Sequence, residues 1–193
     1  EAAAAAKFVR DALTPLATPA DDAEAAFTRA DEFVQQVMRL NASVVDASGL
    51  SLDPDADSYH LMMASTTETL QAIRMLGRMR DLGVDALTSS TLSPHAARIL
   101  QGDSYVMYGH LEQLFARYER VVKLNAALAQ PLAYEESFKP VNAFMRMVRK
   151  GPLAGAGPAG DAAAYAAGGQ AAIDALAALT SRSYSSLAGL IDA

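Results

Sequence analysis

Apolar residues along this chain recur at spacings of three and four. Between Phe27 and Ser48 the positions Phe27, Ala30, Val34, Val37, Asn41, Val44 and Ser48 step alternately by three and four. A longer run follows the same rule through Ala97, Leu100, Ser104, Met107, Leu111, Leu114, Tyr118, Val121, Asn125 and Leu128. This alternation is a heptad seam, by which long helices pack against one another at shallow angles. No run of Val, Ile, Thr and aromatics alternates with period two, and no Asn-Gly or Asp-Gly hairpin turn occurs. The fold class predicted is all-α.

Capping and breaking residues cut the pattern into rods. Asp21 or Asp22 can cap a helix that Gly49 ends. Asp57 or Ser58 can open a second, running to about Leu82 before Gly83. Ser93 followed by Pro94 starts a third, because Pro at the first helical position loses no hydrogen bond. That helix is expected to reach Pro131, with a shorter one from about Pro140 to Lys150. Residues 151–160, rich in Gly and Pro, must form a loop, and Asp161 opens a last helix ending near Asp192. Four long elements result, at about 22–48, 57–82, 94–130 and 161–192, with one extra short helix. An up-down-up-down four-helix bundle is the simplest way for such rods to bury their stripes. Residues 1–20 read as a separate N-terminal helical segment, in which 1–7 is patterned like an idealised helix-forming spacer. Residues 21–193 read as the domain.

Composition narrows the function classes. The 193 residues are 51% hydrophobic and 20% charged, and alanine supplies about one in five, as a helix-rich chain requires. The formal net charge of −6 argues against a domain held to nucleic acid by phosphate contacts. With no Cys there is no disulfide, no thiolate nucleophile and no Cys-ligated metal. No uninterrupted apolar stretch reaches the roughly 18 residues a membrane span needs.

Motifs of reactive chemistry fail on context. Residues 155–160 match G-x-G-x-x-G, but a dinucleotide fingerprint needs a strand before it and a helix opening within it. His60, His95 and His110 stand in no H-E-x-x-H or E-x-x-H arrangement, so no metal site is expected. Asp53, Asp55 and Asp57 invite a calcium reading, yet the sixth and twelfth loop positions are Ser58 and Ala64 where Gly and Glu are required. No G-x-S-x-G elbow occurs. An enzyme is not expected, and neither is a cofactor. The basic groups are more informative: Arg74 and Arg78, then Arg117, Arg120 and Lys123, then Arg146, Arg149 and Lys150. Their ordinary role is a solvated face, but one or two turned inward would clamp an anion.

The run Ser48-Gly49-Leu50-Ser51-Leu52-Asp53-Pro54-Asp55-Ala56-Asp57-Ser58-Tyr59-His60-Leu61-Met62 resembles a segment of the extracytoplasmic sensor regions of bacterial transmembrane receptors. These are methyl-accepting chemotaxis proteins, and sensor histidine kinases and diguanylate cyclases with a similar input region. The segment from Arg74 to Gly83 resembles the basic end of their second helix, and Ala171 to Leu176 with Leu187 to Ile191 their last. The sequence departs from the pattern at His60, where Tyr or Phe is common. The resemblance implies a periplasmic helical bundle, a homodimer, membrane spans flanking this segment and a cytoplasmic signalling module. It also implies a small-molecule ligand, often an organic or amino acid. With the acidic turn near Tyr59 expected beside Arg146 and the Gly-rich loop, the predicted ligand site is Tyr59, His60, Arg74 and Arg146. The competing reading is a non-catalytic structural or protein-interaction bundle that dimerises or senses a periplasmic partner. An enzyme or cofactor-carrying bundle is the third.

Overall fold

In the computed structural model residues 7, 8, 10, 11, 13, 22–49 and 55–191 are described, and every regular element among them is helical. The chain divides into two compact units, Glu1–Ser51 and Leu52–Ala193.

The first unit contains α1 (Ala23–Ser48). Asp22 Oδ1 accepts from Ala25 N at 2.8 Å, and Gly49 ends the helix in the left-handed conformation at φ 71°. Both caps fall where the sequence put them. The seam on this helix is not buried: Val34, Val37 and Val44 are 37%, 37% and 56% exposed.

The second unit is built on α2 (residues 56–89), α3 (Pro94–Leu124), α4 (Tyr134–Lys150) and α5 (Ala162–Ile191). Helix α2 runs as Ala56–Met63, a π-helical turn Ala64–Glu68, and Thr69–Ser89. It therefore continues past Gly83, which is not a terminator. The buried stripe Leu76, Met79, Leu82, Ala86 carries the helix on, and Ser90 ends it at φ 55°. Neither Asp57 nor Ser58 holds the cap position of α2, which Asp55 takes with no side-chain hydrogen bond to the free N–H groups of the first turn. Asp57 instead accepts from Asn125 Nδ2 at 2.9 Å, tying the start of α2 to the end of α3.

Ser93 caps α3 through Ala96 N at 3.1 Å with Pro94 in the first turn. Its expected seam is the buried face: Leu100, Ser104, Met107, Leu111, Leu114, Tyr118 and Val121. The helix stops at Leu124, earlier than expected, and Asn125 (φ −139°) leads into a 3₁₀ turn, Ala126–Leu128, and a single α-turn, Ala129–Leu132. Helix α4 begins six residues before Pro140, which lies inside it. The aromatic anchors Tyr134 and Phe138 are buried and start the stripe Val141, Phe144, Met145, Val148. That burial outweighs the one backbone bond a proline forfeits. The supposed short helix is thus a full member of the second unit.

Side-chain pairs fix the directions. Along α2 and α3, Asp57 meets Asn125, Glu68 meets Arg117 and Arg78 meets Asp103, so the two are antiparallel. Phe115 packs on Phe138, and Arg149 lies over Tyr108, so α3 and α4 are antiparallel as well. Met147 stands against Gly168 and Arg182 against Ser137, which reverses α5 relative to α4. Gly83 of α2 stands against Tyr165 of α5, whereas Thr69 and Ser183 meet at Tyr118, so α2 and α5 are antiparallel as well. Helix α2 packs on α3 and α5, and α4 packs on the same two.

Residues 151–160 form the expected loop, and Asp161 Oδ1 accepts from Ala164 N at the start of α5. Among the described residues no helix is long and apolar enough to cross a membrane.

Candidate functional site

The most unusual local sequence is Ser65-Thr66-Thr67-Glu68-Thr69, four hydroxyl residues inside a helix. Such side chains bond back to carbonyls one turn earlier and compete with the α-helical ladder. Here Ser65 Oγ donates to Leu61 O, Thr66 Oγ1 to Met62 O, and Thr69 Oγ1 to Ala64 O five residues back, at 2.7–2.8 Å. The backbone widens to match, giving the π-helical turn Ala64–Glu68. Single π turns within α-helices are frequent at functional positions.

Opposite the turn stands Tyr118 on α3, fully buried. Its hydroxyl lies 3.3 Å from Thr69 Oγ1 and 3.1 Å from Ser183 Oγ on α5, both also fully buried. Three helices meet at this one oxygen. Thr69 uses its proton on Ala64 O and Ser183 uses its proton on Leu179 O, leaving one phenolic proton for two oxygen–oxygen contacts. Tyr118 can donate to Thr69 or to Ser183, not to both. Burial raises its pKa, opposed by those two hydroxyl contacts and by the Arg182 charge and aided by the Glu68 charge; the net direction is upward, and the phenol keeps its proton. Its ring stacks on Tyr134 of α4 at 5.9 Å.

A charged cluster flanks this layer. Arg117 grips Glu68 with two contacts, Nε–Oε2 at 2.8 Å and Nη2–Oε1 at 2.6 Å. Its Nη1 donates to His60 Nδ1 at 3.1 Å. A guanidinium can only donate, so His60 Nδ1 is unprotonated and the ring is neutral. The His60 pKa is lowered first by burial, then by the charges of Arg120 and Arg117, with Glu68 opposing. His110 Nε2 donates to Glu68 O at 2.8 Å.

The four predicted ligand residues do not converge. Tyr59, 37% exposed, sets its ring edge-on to His60 at 5.5 Å. Arg74 lies fourteen residues along α2 from His60, about 21 Å at 1.5 Å per residue. Arg146 is exposed on α4, one residue before Met147, which stands against Gly168. Next to Gly168 is Gly169, which faces Arg80 of α2, so Arg146 is about 30 Å along the axis from His60. The loop 151–160 lies at that same far end, its Gly160 beside Leu87. The expected closeness of the acidic turn to Arg146 is therefore corrected: α2 and α4 run parallel, and Arg146, near the end of α4, lies far from Tyr59 and His60 at the start of α2. Asp53 lies outside the described residues.

The residues that do converge are Thr69, Tyr118 and Ser183, with Glu68, Arg117 and His60 beside them. Tyr118 was visible only as a seam position. The run of hydroxyl residues at 65–69 was the available signal. Among the described residues no group of three His, Asp or Glu side chains is disposed to hold a metal. Comparison with protein-family models, with curated proteins and with solved structures finds no match for this chain.

Proposed function

We propose that this chain is an extracytoplasmic sensory domain, in which the second unit is an up-down-up-down four-helix bundle that binds a small anionic ligand. Ligand binding displaces one helix along another and passes that motion through a membrane to a cytoplasmic module. On this reading the domain is periplasmic, acts as a homodimer, needs no cofactor and catalyses nothing.

The observation that carries it is the shared proton at Tyr118. A hydroxyl that can donate to α2 or to α5, beside a helical turn already wound in the π register, supplies two discrete arrangements of nearly equal contacts. Packed helices move between such states rather than deforming continuously. A ligand that contacts one arrangement better shifts the population toward it.

The test is thermal denaturation of the chain against a panel of small carboxylates, amino acids and phosphate at fixed ionic strength. A true ligand at one hundred times its Kd adds about 2.7 kcal/mol, a rise of roughly 5–10 °C for a chain of this size. A panel that leaves the transition unmoved refutes the ligand-binding reading.

A non-catalytic interaction bundle is the second reading, favoured by the outer face of α3. Tyr105 is 85% and Tyr108 42% exposed there, and a side chain at Gly102 or Gly109 would meet open space. Aromatic and small residues together suit a protein partner.

A further inference from the structure

Several basic groups of the second unit stand beside an opposite charge: Arg78 by Asp103, Arg80 by Asp81, Arg117 by Glu68, Lys123 by Glu119 and Lys139 by Glu136. Arg182 on α5 does not. It is half-buried, and among the described residues its contacts are with neutral acceptors alone. Nε donates to Leu132 O at 2.9 Å and Nη2 to Ser137 Oγ at 2.8 Å. In a chain carrying 22 acidic and 16 basic residues, a half-buried cation with no carboxylate at hand is conspicuous.

The two bonds fix the plane of the guanidinium and use two of its five N–H groups, leaving three. Those include both hydrogens of Nη1 and one of Nη2, the pair of nitrogens that meets an oxyanion in a parallel fork. Arg182 also lines an open groove of about 450 Å³ with Pro131, Ser181, Ser185 and Ser186. Ser181 and Ser185 donate to carbonyls one turn back, whereas Ser186 Oγ makes no hydrogen bond among the described residues. Ser186 follows Arg182 by four residues and so lies on the same face of α5.

We infer that this groove is an oxyanion site, in which the fork of Arg182 and the hydroxyl of Ser186 hold a small carboxylate or phosphate. The guanidinium is preorganised, because its ordering has been met by Leu132 and Ser137 before the anion arrives. The site lies one residue from Ser183, the partner of Tyr118, so an occupant acts on the segment of α5 that shares the phenolic proton. It rests on the sensory reading for its purpose and not for its binding.

The experiment is an ¹⁵N NMR titration of the full chain with succinate, inorganic phosphate and, as control, chloride at constant ionic strength. Saturable shifts at Ser181, Arg182, Ser185 and Ser186 with succinate or phosphate are expected, and the preferred anion tells carboxylate from phosphate. Ser185→Glu puts a carboxylate three residues from Arg182, where it occupies the fork itself. It should weaken anion binding at least tenfold while keeping the helical circular dichroism. Arg182→Gln should abolish binding; if its loss from Leu132 O unfolds the chain, the exposed Ser185 variant decides alone. Shifts that fail to saturate, that appear equally at Arg74 and Arg146, or that persist in Ser185→Glu would overturn the site. If binding here fails while a ligand still raises the melting temperature, the sensory reading survives and this site falls. If binding here holds and nothing else raises it, the oxyanion is the ligand.

Discussion

One chemical change made at two points of α2 should have opposite effects. Gly77 and Gly83 lie six residues apart in the same helix, and replacing either with Ala adds one methyl group and gains helix propensity, about 1 kcal/mol. At Gly77 the added Cβ meets nothing within 4 Å, so the gain is kept. At Gly83 it would collide with the ring and hydroxyl of Tyr165. That ring is 2% exposed, packs on Phe144 at 5.0 Å and is tethered by its hydroxyl to Met79 O. Displacing it costs about 1–3 kcal/mol of overpacking and about 1 kcal/mol for the strained hydrogen bond. The net expectation is stabilisation by about 1 kcal/mol for Gly77→Ala and destabilisation by about 2 kcal/mol for Gly83→Ala. Urea denaturation followed by helical circular dichroism reads the difference. With a slope of about 2 kcal/mol per molar, the two midpoints should stand roughly 1.5 M apart. Equal midpoints, or a Gly83→Ala variant as stable as the parent, would mean that α5 does not press on α2 at this level.

Two further predictions concern the polar layer. Tyr118→Phe removes the proton shared by Thr69 and Ser183 but leaves their bonds to Ala64 O and Leu179 O; it should cost about 1 kcal/mol in the same denaturation, and a loss above 3 kcal/mol would mean that the two hydroxyls depend on Tyr118 for their only partner. His60 is held neutral, its pKa below the ordinary 6.5. Its contribution to stability is therefore complete above pH 6.5 and declines as pH falls through that value toward the folded pKa, because the unfolded chain takes up the proton first. Subtracting the curve for His60→Gln from that of the parent should leave this acid-side slope alone, and a difference that is flat from pH 7.5 to 5 would refute the Arg117–His60 contact.

Much of the fold is legible in the sequence because it follows from local rules. Period, caps and breakers act within one turn of helix, so the seam of α3, the Ser93–Pro94 start, the Asp22 and Gly49 ends of α1 and the Asp161 start of α5 could all be read directly. What failed were positions where a distant side chain overrules a local signal. Gly83 reads as a stop, but its missing side chain makes room for Tyr165, far along the chain. Pro140 reads as a start, but Tyr134 and Phe138 bury themselves and draw the helix forward past it. The site failed because helix rise and packing set its members at different heights: Tyr59, His60, Arg74 and Arg146 have the right chemistry, but Arg74 stands about 21 Å and Arg146 about 30 Å along the axis from His60. Only the tertiary structure decided that one phenolic proton serves α2 and α5, and that Arg182 meets no counter-charge among the described residues. Both depend on which helices are neighbours, and a heptad pattern says that a helix has a partner without naming it.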